Sequence, residues 1–145
     1  MFMRATILFL ILVAALPFAE AWGQARYKVR KLVIDAGHGG KDPGALGRFV
    51  HEKELALAIA LKTGAYIEKH LPDVEVIYTR KTDVFLELHE RARIANEAQA
   101  DAFISIHVNA NGSSSVYGTS TYVMGLNKSQ DNLNVAKREN SVILY

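Results

Sequence analysis

The stretch from Lys31 to Gly47, KLVIDAGHGGKDPGALG, constrains the fold of this chain more than any other segment. It begins with a mostly β-branched apolar run at residues 32–34 and changes abruptly to glycines, which is typical of a buried strand that enters a tight loop. The glycines around His38 allow positive φ angles, so the backbone can fold closely around whatever that imidazole contacts. The sequence therefore predicts a strand that carries Asp35 and His38 into a ligand-binding loop.

Two further residues are candidates for the same site as His38. His107 lies at the end of another apolar run, DAFISIHVNA, and Glu52 begins the helical stretch between the two histidines. Two imidazoles and one carboxylate, with open coordination positions, are a ligand set that suits a catalytic zinc ion. Taken singly, His38 can be a turn residue and His107 a buried, hydrogen-bonded histidine. Because the sequence contains no cysteine, thiolate metal sites, a cysteine nucleophile and disulfides are excluded.

Length and charge limit the class of protein. A chain of 145 residues, half of them apolar, forms one ordinary domain with a buried core. Its 17 basic and 15 acidic residues leave a formal charge of +2, and neither sign is gathered into a long run. This balance indicates no nucleic acid or other polyanion as a partner.

The N-terminal segment predicts export. A positive charge at Arg4 precedes the apolar run Ala5–Phe18, which is shorter than the roughly 20 residues of a membrane-spanning helix. We interpret residues 1–21 as a signal peptide, with cleavage after Ala21 or as late as Ala25; an uncleaved membrane anchor is the alternative. The mature chain is then expected in the periplasm or cell envelope, without a stable membrane span.

Strand and helix patterns alternate along the rest of the chain. This alternation favours an α/β fold with a mostly parallel open sheet flanked by helices. The predicted elements are strands at Lys31–Asp35, Val74–Thr79, Ala102–Val108 and Gly118–Met124, helices at Glu52–Lys69 and Phe85–Ala100, and a weak helix at Asn127–Asn140.

This architecture predicts where the candidate ligands meet. Open α/β sheets bind ligands at the carboxyl ends of their strands, and His38 follows the first strand while His107 ends the third. We therefore expect the third strand beside the first, with donor atoms of His38, Glu52 and His107 within about 4 Å of one another. Alternation along the third strand predicts that Ile104 and Ile106 are buried on the face away from His107.

Both helices are predicted to pack on the sheet through apolar stripes at helical spacing. The N-terminal caps of the second helix are expected at Thr82 and Asp83. The stripe of the first helix contains Leu55, Ala58, Ile59, Ala65 and Tyr66, with Leu57 and Leu61 at its flanks, and that of the second contains Leu88, Ala92 and Ala95.

Polar groups near the candidate ligands can orient them. Asp35 is expected to hydrogen-bond an imidazole or the loop backbone, with a simple turn cap as the alternative. Asn109 and Glu97 flank the third strand and can orient site groups, although a solvated helix face explains Glu97 equally well. The histidines at positions 51, 70 and 89 are interpreted as surface residues.

Other chemistries fit the sequence less well. A phosphate-binding loop needs Ser or Thr after its lysine, whereas Lys41 is followed by Asp42, and Pro43 lacks a backbone donor. The serines at positions 105 and 113–115 lie in no nucleophile-elbow sequence, which argues against a serine hydrolase.

Several motifs together resemble one known family. VIDAGHGGKDPGALG is followed in order by HEKELALAIALK, YTRKTDVFLELHERARIANEAQADAFISIHVNA and YGTSTYVMG. From Lys31 to about Asn140 the chain is similar to the zinc-dependent N-acetylmuramoyl-L-alanine amidases of the amidase-3 family. The resemblance implies a peptidoglycan hydrolase that cuts the amide between N-acetylmuramic acid and L-alanine, with His38, Glu52 and His107 as the zinc ligands.

The resemblance leaves the catalytic base without a residue. The family carries its catalytic glutamate near the C-terminus, after additional helices, and this chain reaches Tyr145 before it. Residues 31–145 are accordingly interpreted as the N-terminal part of an amidase catalytic domain, incomplete at the C-terminus. The alternative is a non-catalytic zinc- or peptidoglycan-binding remnant. With residues 142–144 unpartnered, the chain by itself is predicted to be poorly stable and inactive while keeping some affinity for zinc.

Overall fold

A computed structural model describes residues 27–110, 113, 115–123 and 137. The predicted signal peptide, the apolar residues 142–144 and all but Lys137 of the predicted helix at 127–140 lie outside the described residues. Within the part of the chain that is described, no helix is long and apolar enough to cross a membrane.

The described residues form a parallel three-stranded sheet with helices against it, which confirms the α/β class. The strand order is β2-β1-β3, so the third strand lies beside the first as predicted. The sequence boundaries are accurate to within one residue for β1, α1 and β2. The elements are β1 (Lys31–Ala36), α1 (Glu52–His70), β2 (Glu75–Tyr78), α2 (Leu88–Glu97) and β3 (Ala102–Ile106).

Strand β1 is the centre of the core because it pairs on both edges and is covered on both faces. Leu32, Ile34 and Ala36 form a buried cluster with Ala60 of α1. Asp35 points to the opposite face, where its carboxylate meets Arg91 of α2 at 2.8 Å. The two helices therefore cover opposite faces of the same strand.

Helix α1 packs through a different face from the one predicted. Its buried residues are Glu52, Ala56, Ala60 and Gly64, which form a single row at a spacing of four. The predicted stripe is exposed instead: Leu55, Ala58, Ile59, Ala65 and Tyr66 all face solvent, with Tyr66 66% exposed.

Helix α1 packs through the row of small residues because it lies very close to the sheet. A Cβ atom at Gly64 would overlap the phenol ring of Tyr78 in β2, so only a row of small side chains lets the helix lie this near the sheet. Leu57 and Ile67 flank the row and complete the contact with the core.

Helix α2 is shorter than predicted. It begins at Leu88, and the carboxylate of Glu90 accepts a hydrogen bond from the N–H of Glu87, the residue before the helix, at 3.1 Å. The predicted caps Thr82 and Asp83 are therefore wrong. Asp83 instead accepts from the N–H of Gly40 and from Nζ of Lys53, because it faces the glycine loop rather than the helix. Of the predicted stripe, Ala92 is exposed.

The third strand is less covered than predicted. Ile106 packs against the core cluster, but Ile104 is 44% exposed, so its predicted burial is wrong. The physical reason is position: β3 lies at the edge of the sheet formed by the described residues, and α1 packs mainly over β1 and β2. The predicted strand at Gly118–Met124 is also wrong for residues 118–123, which are exposed and begin with Gly118 at a φ of 131°.

We predict that Gly64→Ala destabilises the protein even though alanine is the better helix former. The helix propensity gain is about 1 kcal/mol, whereas forcing a methyl group into a packed contact costs about 1–3 kcal/mol. Urea unfolding of the purified protein should show a lower free energy of unfolding. In a Tyr78→Phe background the loss should shrink, since the phenol oxygen is the nearest atom to the added methyl. A more stable Gly64→Ala variant would show that α1 does not lie this close to β2.

Candidate metal centre

Three side chains from distant parts of the sequence meet at the carboxyl edge of the sheet. Nε2 of His38 lies 3.3 Å from Oε1 of Glu52 and 3.1 Å from Nδ1 of His107. The same oxygen of Glu52 lies 3.3 Å from Nδ1 of His107. The structure thus brings together the three predicted ligands, and their binding of a metal remains a prediction.

The loop after β1 aims one nitrogen of His38 at this point. His38 has a left-handed φ of 60°, and Gly39 and Asp42 close the loop with two backbone hydrogen bonds of 2.9 and 3.1 Å. Oδ2 of Asp42 lies 2.8 Å from Nδ1 of His38, and Oδ1 accepts from the N–H of Gly44. Because a carboxylate only accepts, Nδ1 carries a proton toward Asp42, and Nε2 is the ring nitrogen that faces Glu52.

Glu52 is held at both of its oxygens. Oε2 accepts a hydrogen bond from the N–H of Ala45 at 2.9 Å, and Oε1 accepts one from the N–H of Val108 at 2.7 Å. Burial by itself raises the pKa of Glu52, but contacts with both imidazoles and the two backbone bonds outweigh it and hold the pKa well below its usual range. The carboxylate is therefore ionised at neutral pH, as a metal ligand must be.

Two glycines allow the rings to approach the backbone. A Cβ atom at Gly37 would lie 2.5–2.8 Å from three ring atoms of His107. Gly44 has a φ of 65°, and a Cβ there would lie 2.6 Å from Cδ2 of His38 and 2.8 Å from Cβ of Glu52. Any larger residue at either position would displace a candidate ligand.

The donor atoms fit a tetrahedral divalent metal. Bond lengths of about 2.0–2.2 Å separate two tetrahedral ligand atoms by about 3.3–3.6 Å. The three observed separations of 3.1–3.3 Å are within a few tenths of an ångström of that range. Two imidazole nitrogens and one carboxylate oxygen also have the chemistry of such a site, and the group is a possible metal site.

Comparison with known sequences identifies the family of this chain. The sequence model of one family, described as N-acetylmuramoyl-L-alanine amidase (Amidase_3), matches residues 32–143. The chain belongs to this amidase family. The matched range contains all three donor residues and the whole described sheet apart from Lys31.

Individual amidases and related proteins are similar in sequence. The chain is 46% identical over 94 residues to the endolysin of Bacillus phage SPP1, covering 64% of this chain and 34% of the endolysin. It is 43% identical over 82 residues to the sporulation-specific N-acetylmuramoyl-L-alanine amidase of Bacillus subtilis (strain 168), covering 57% of this chain and 32% of that enzyme. The chain thus spans about a third of the length of these two relatives.

Solved amidase structures share the fold. The catalytic domain of CwlV, an N-acetylmuramoyl-L-alanine amidase from Bacillus (Paenibacillus) polymyxa var. colistinus, is 46% identical with a TM-score of 0.57, over 60% of this chain and 49% of that domain. The N-acetylmuramoyl-L-alanine amidase from Clostridium difficile 630 is 32% identical with a TM-score of 0.56, over 73% of this chain and 57% of that one. Both likenesses support the α/β architecture of this amidase family member.

The predicted orienting residues lie in different places. Asp35 is buried beneath the site, where it accepts hydrogen bonds from the hydroxyls of Thr79 and Ser105, both at 2.6 Å, and from Arg91. These contacts join Asp35 to β3, to α2 and to Thr79 after β2, and the carboxylate bonded to Nδ1 of His38 is that of Asp42. Asn109 is exposed two residues after His107, and its orienting role remains a prediction.

The remaining polar candidates lie on the surface. Glu97 forms an exposed ion pair with Arg93 at 2.8 Å, as expected for a solvated helix face. The histidines at positions 51, 70 and 89 are all exposed, as interpreted from the sequence.

Sequence reasoning missed Asp42, Arg80 and Arg91. Asp42 follows His38 by four residues in a glycine loop, and that spacing was the available signal, since a loop that folds back places such a pair side by side. Arg91 lies between Leu88 and Ala95 at helical spacing, so a charged residue occupies a position in the apolar stripe of α2.

We predict that Asp42→Asn weakens metal binding by about 10- to 100-fold, the usual cost of losing a carboxylate behind a histidine ligand. The amide keeps the size of the side chain but removes the charge that fixes the proton on Nδ1 of His38. The dissociation constant for Zn²⁺ can be measured by competition with a chromophoric chelator.

Asp83→Asn is the matched control, because Asp83 also accepts from the N–H of a loop glycine but is not bonded to His38. It should leave the dissociation constant for Zn²⁺ close to that of the unmodified protein. Equal weakening by both substitutions would show that loop stability, and not the contact with His38, decides metal affinity.

Proposed function

We propose that this protein is a zinc-dependent N-acetylmuramoyl-L-alanine amidase that hydrolyses the amide between the lactyl group of N-acetylmuramic acid and the L-alanine of the stem peptide in peptidoglycan. The observation that carries the proposal is the convergence of His38, Glu52 and His107 within 3.1–3.3 Å in a chain of this family. Its role would be cell-wall turnover or separation of daughter cells.

The donor set suits hydrolysis of an unactivated amide. His38, Glu52 and His107 would hold the zinc ion, which when bound supplies Lewis-acid activation of the amide carbonyl and of a water molecule. One carboxylate and two neutral imidazoles leave a net positive charge at such a centre, and positive charge favours an oxygen that becomes negative in the transition state. The hydrogen bonds from Ala45 and Val108 keep the Glu52 carboxylate in place during this change.

The proton of the attacking water must be accepted by a group other than the nearby carboxylates. Both oxygens of Glu52 accept backbone hydrogen bonds, and both oxygens of Asp42 are bonded to His38 and Gly44. Asp35 is 2% exposed and already accepts from two hydroxyls and a guanidinium. A general base must lie within hydrogen-bond reach of the proton that it removes and be able to accept it, so we propose that the catalytic base is supplied from outside these three residues.

Because these carboxylates already accept other hydrogen bonds, one alternative is favoured. It is a non-catalytic protein that binds zinc and peptidoglycan without hydrolysing it. Both candidates need the same metal ligands. They differ in a single measurable property, the release of cleaved wall material.

The site is proposed to act outside the cytoplasm. Residues 1–21 have the charge and the apolar length of a signal peptide, and the proposed substrate is a component of the cell envelope. N-terminal sequencing of the secreted protein would place the cleavage after Ala21 or Ala25, whereas an intact Met1 on membrane-bound material would show an anchor.

We predict that His38→Ala, Glu52→Gln and His107→Ala each lower the affinity for Zn²⁺ by more than about 100-fold. This loss exceeds the one predicted for Asp42→Asn, because each of these substitutions removes a ligand atom itself. If the unmodified protein releases dye from labelled cell walls, the same variants should no longer do so. His89→Ala, which changes an exposed histidine on α2, is the control and should keep both properties.

Each outcome separates the candidates. Zinc-dependent dye release with a new N-terminal L-alanine supports the amidase. Tight binding of Zn²⁺ by the unmodified protein without any release supports the non-catalytic alternative. Zn²⁺ affinity that is unchanged in all three ligand variants would refute the site itself.

A further inference from the structure

Two arginines are buried beside the candidate metal centre without forming part of the donor set. Arg80 follows β2 and is 3% exposed, and Arg91 in α2 is 5% exposed. Arginine is almost never fully buried unless its donors are satisfied, so the groups that these guanidiniums bind are informative.

Arg91 binds the end of β1 and the first turn of the loop. Its Nη1 donates to a carboxylate oxygen of Asp35 at 2.8 Å and to the carbonyl of Ala36 at 2.7 Å. Its Nη2 donates to the carbonyl of His38 at 2.8 Å and to that of Leu86 at 3.1 Å. A single side chain therefore joins α2 to the backbone of a candidate metal ligand.

Arg80 reaches the same backbone from the end of β2, which pairs with β1. Its Nε donates to the carbonyl of Ala36 at 2.9 Å, and its Nη2 donates to the carbonyls of Gly37 at 2.7 Å and Lys53 at 2.8 Å. Lys53 lies next to Glu52, so this guanidinium also links the histidine loop to the start of α1.

Together the two side chains bind three consecutive carbonyls, those of Ala36, Gly37 and His38. These are the residues at which the chain leaves the sheet and turns into the left-handed conformation of His38, with its φ of 60°. Such a backbone persists only where its surroundings determine it strongly. The guanidiniums determine it here, because each one fixes the directions of several carbonyls at once.

Packing alone does not account for the pair. The only carboxylate bonded to either guanidinium in the described residues is that of Asp35, and it is bonded to Arg91, so the Arg80 guanidinium binds backbone carbonyls alone. Burying a charge is costly, and in line with this, burial and then the nearby Arg91 lower the pKa of Arg80. Apolar side chains of similar volume would fill the same space without that cost.

We propose that Arg80 and Arg91 are positioning residues for the metal centre, which hold the backbone of His38 so that its Nε2 faces Glu52 and His107 before a metal binds. This inference rests on the proposed metal site. It assigns a role in metal affinity and coordination geometry to two residues that touch none of the three donor atoms.

The number of hydrogen bonds distinguishes positioning from simple charge. Lysine at position 91 keeps the positive charge near Asp35, but its single nitrogen cannot serve the four acceptors that Arg91 binds at once. If positioning is the role, Arg91→Lys must bind metal more weakly than the unmodified protein. If the ion pair alone matters, Arg91→Lys must behave like the unmodified protein.

The test uses the full-length protein with Co²⁺ and Zn²⁺ as probes. The visible absorption bands of bound Co²⁺ report the coordination geometry, and chelator competition gives the dissociation constant for Zn²⁺. We expect Arg91→Lys and Arg80→Lys to weaken binding of both metals by about 10- to 100-fold and to change the Co²⁺ bands. Arg93→Lys is the matched control, because Arg93 lies on the same helix in an exposed pair with Glu97, and it should match the unmodified protein.

Folding is followed separately in every variant. Circular dichroism well below the unfolding temperature establishes that the compared molecules are folded, and thermal unfolding with and without Zn²⁺ gives the metal-induced increase in melting temperature. Positioning predicts that this increase shrinks in the Arg91→Lys and Arg80→Lys variants. Folded variants with unchanged metal affinity, or variants that stay unfolded even with Zn²⁺, would overturn the inference in favour of a purely structural role.

The outcome is distinct from a failure of the proposed site. If the unmodified protein and His38→Ala bind Zn²⁺ equally, the metal centre itself is wrong. If the unmodified protein binds Zn²⁺ tightly and Arg91→Lys binds it just as tightly, only the positioning role is wrong.

Discussion

The rest of the site depends on the hydrogen bonds that the carboxylate of Glu52 accepts. It accepts hydrogen bonds from Ala45 in the first loop and from Val108 after β3, while its own backbone begins α1. One side chain thereby joins the loop, the helix and the end of the third strand. Without this link, the strand order alone would bring His38 and His107 to the same edge but would leave the region between them without an anion.

The second constraint is the close approach of α1 to the sheet and of the His107 ring to the backbone. It explains why small residues recur around the site. Glu52 is the first member of the row that continues through Ala56, Ala60 and Gly64, so the face that packs on the sheet also delivers the carboxylate. Because the helix lies close to the sheet along this row, Glu52 is held at a fixed distance from both strands. Gly37 lets the ring of His107 lie directly against the backbone in the same way.

Much of this was predictable from local patterns. The β-branched run before the glycines predicted β1, and the carboxyl-edge rule for parallel sheets placed His38, Glu52 and His107 together. The face of α1 was not predictable, because large apolar residues such as Ile59 score higher in a periodicity argument than the alanines that pack. The buried arginines were missed for a related reason: a charged residue such as Arg91 reads as surface until its acceptors are known.

The sequence by itself determined the α/β class, the order of the five described elements and the three candidate donor residues, because these follow from strand and helix periodicity and from residue chemistry. Only the tertiary structure decided which face of α1 packs, that Asp42 and not Asp35 contacts the imidazole, and that Arg80 and Arg91 bind the backbone of His38. Those outcomes depend on distances between segments far apart in the chain. Local patterns specify which groups are available, whereas the direction of a hydrogen bond is decided only when the elements have packed.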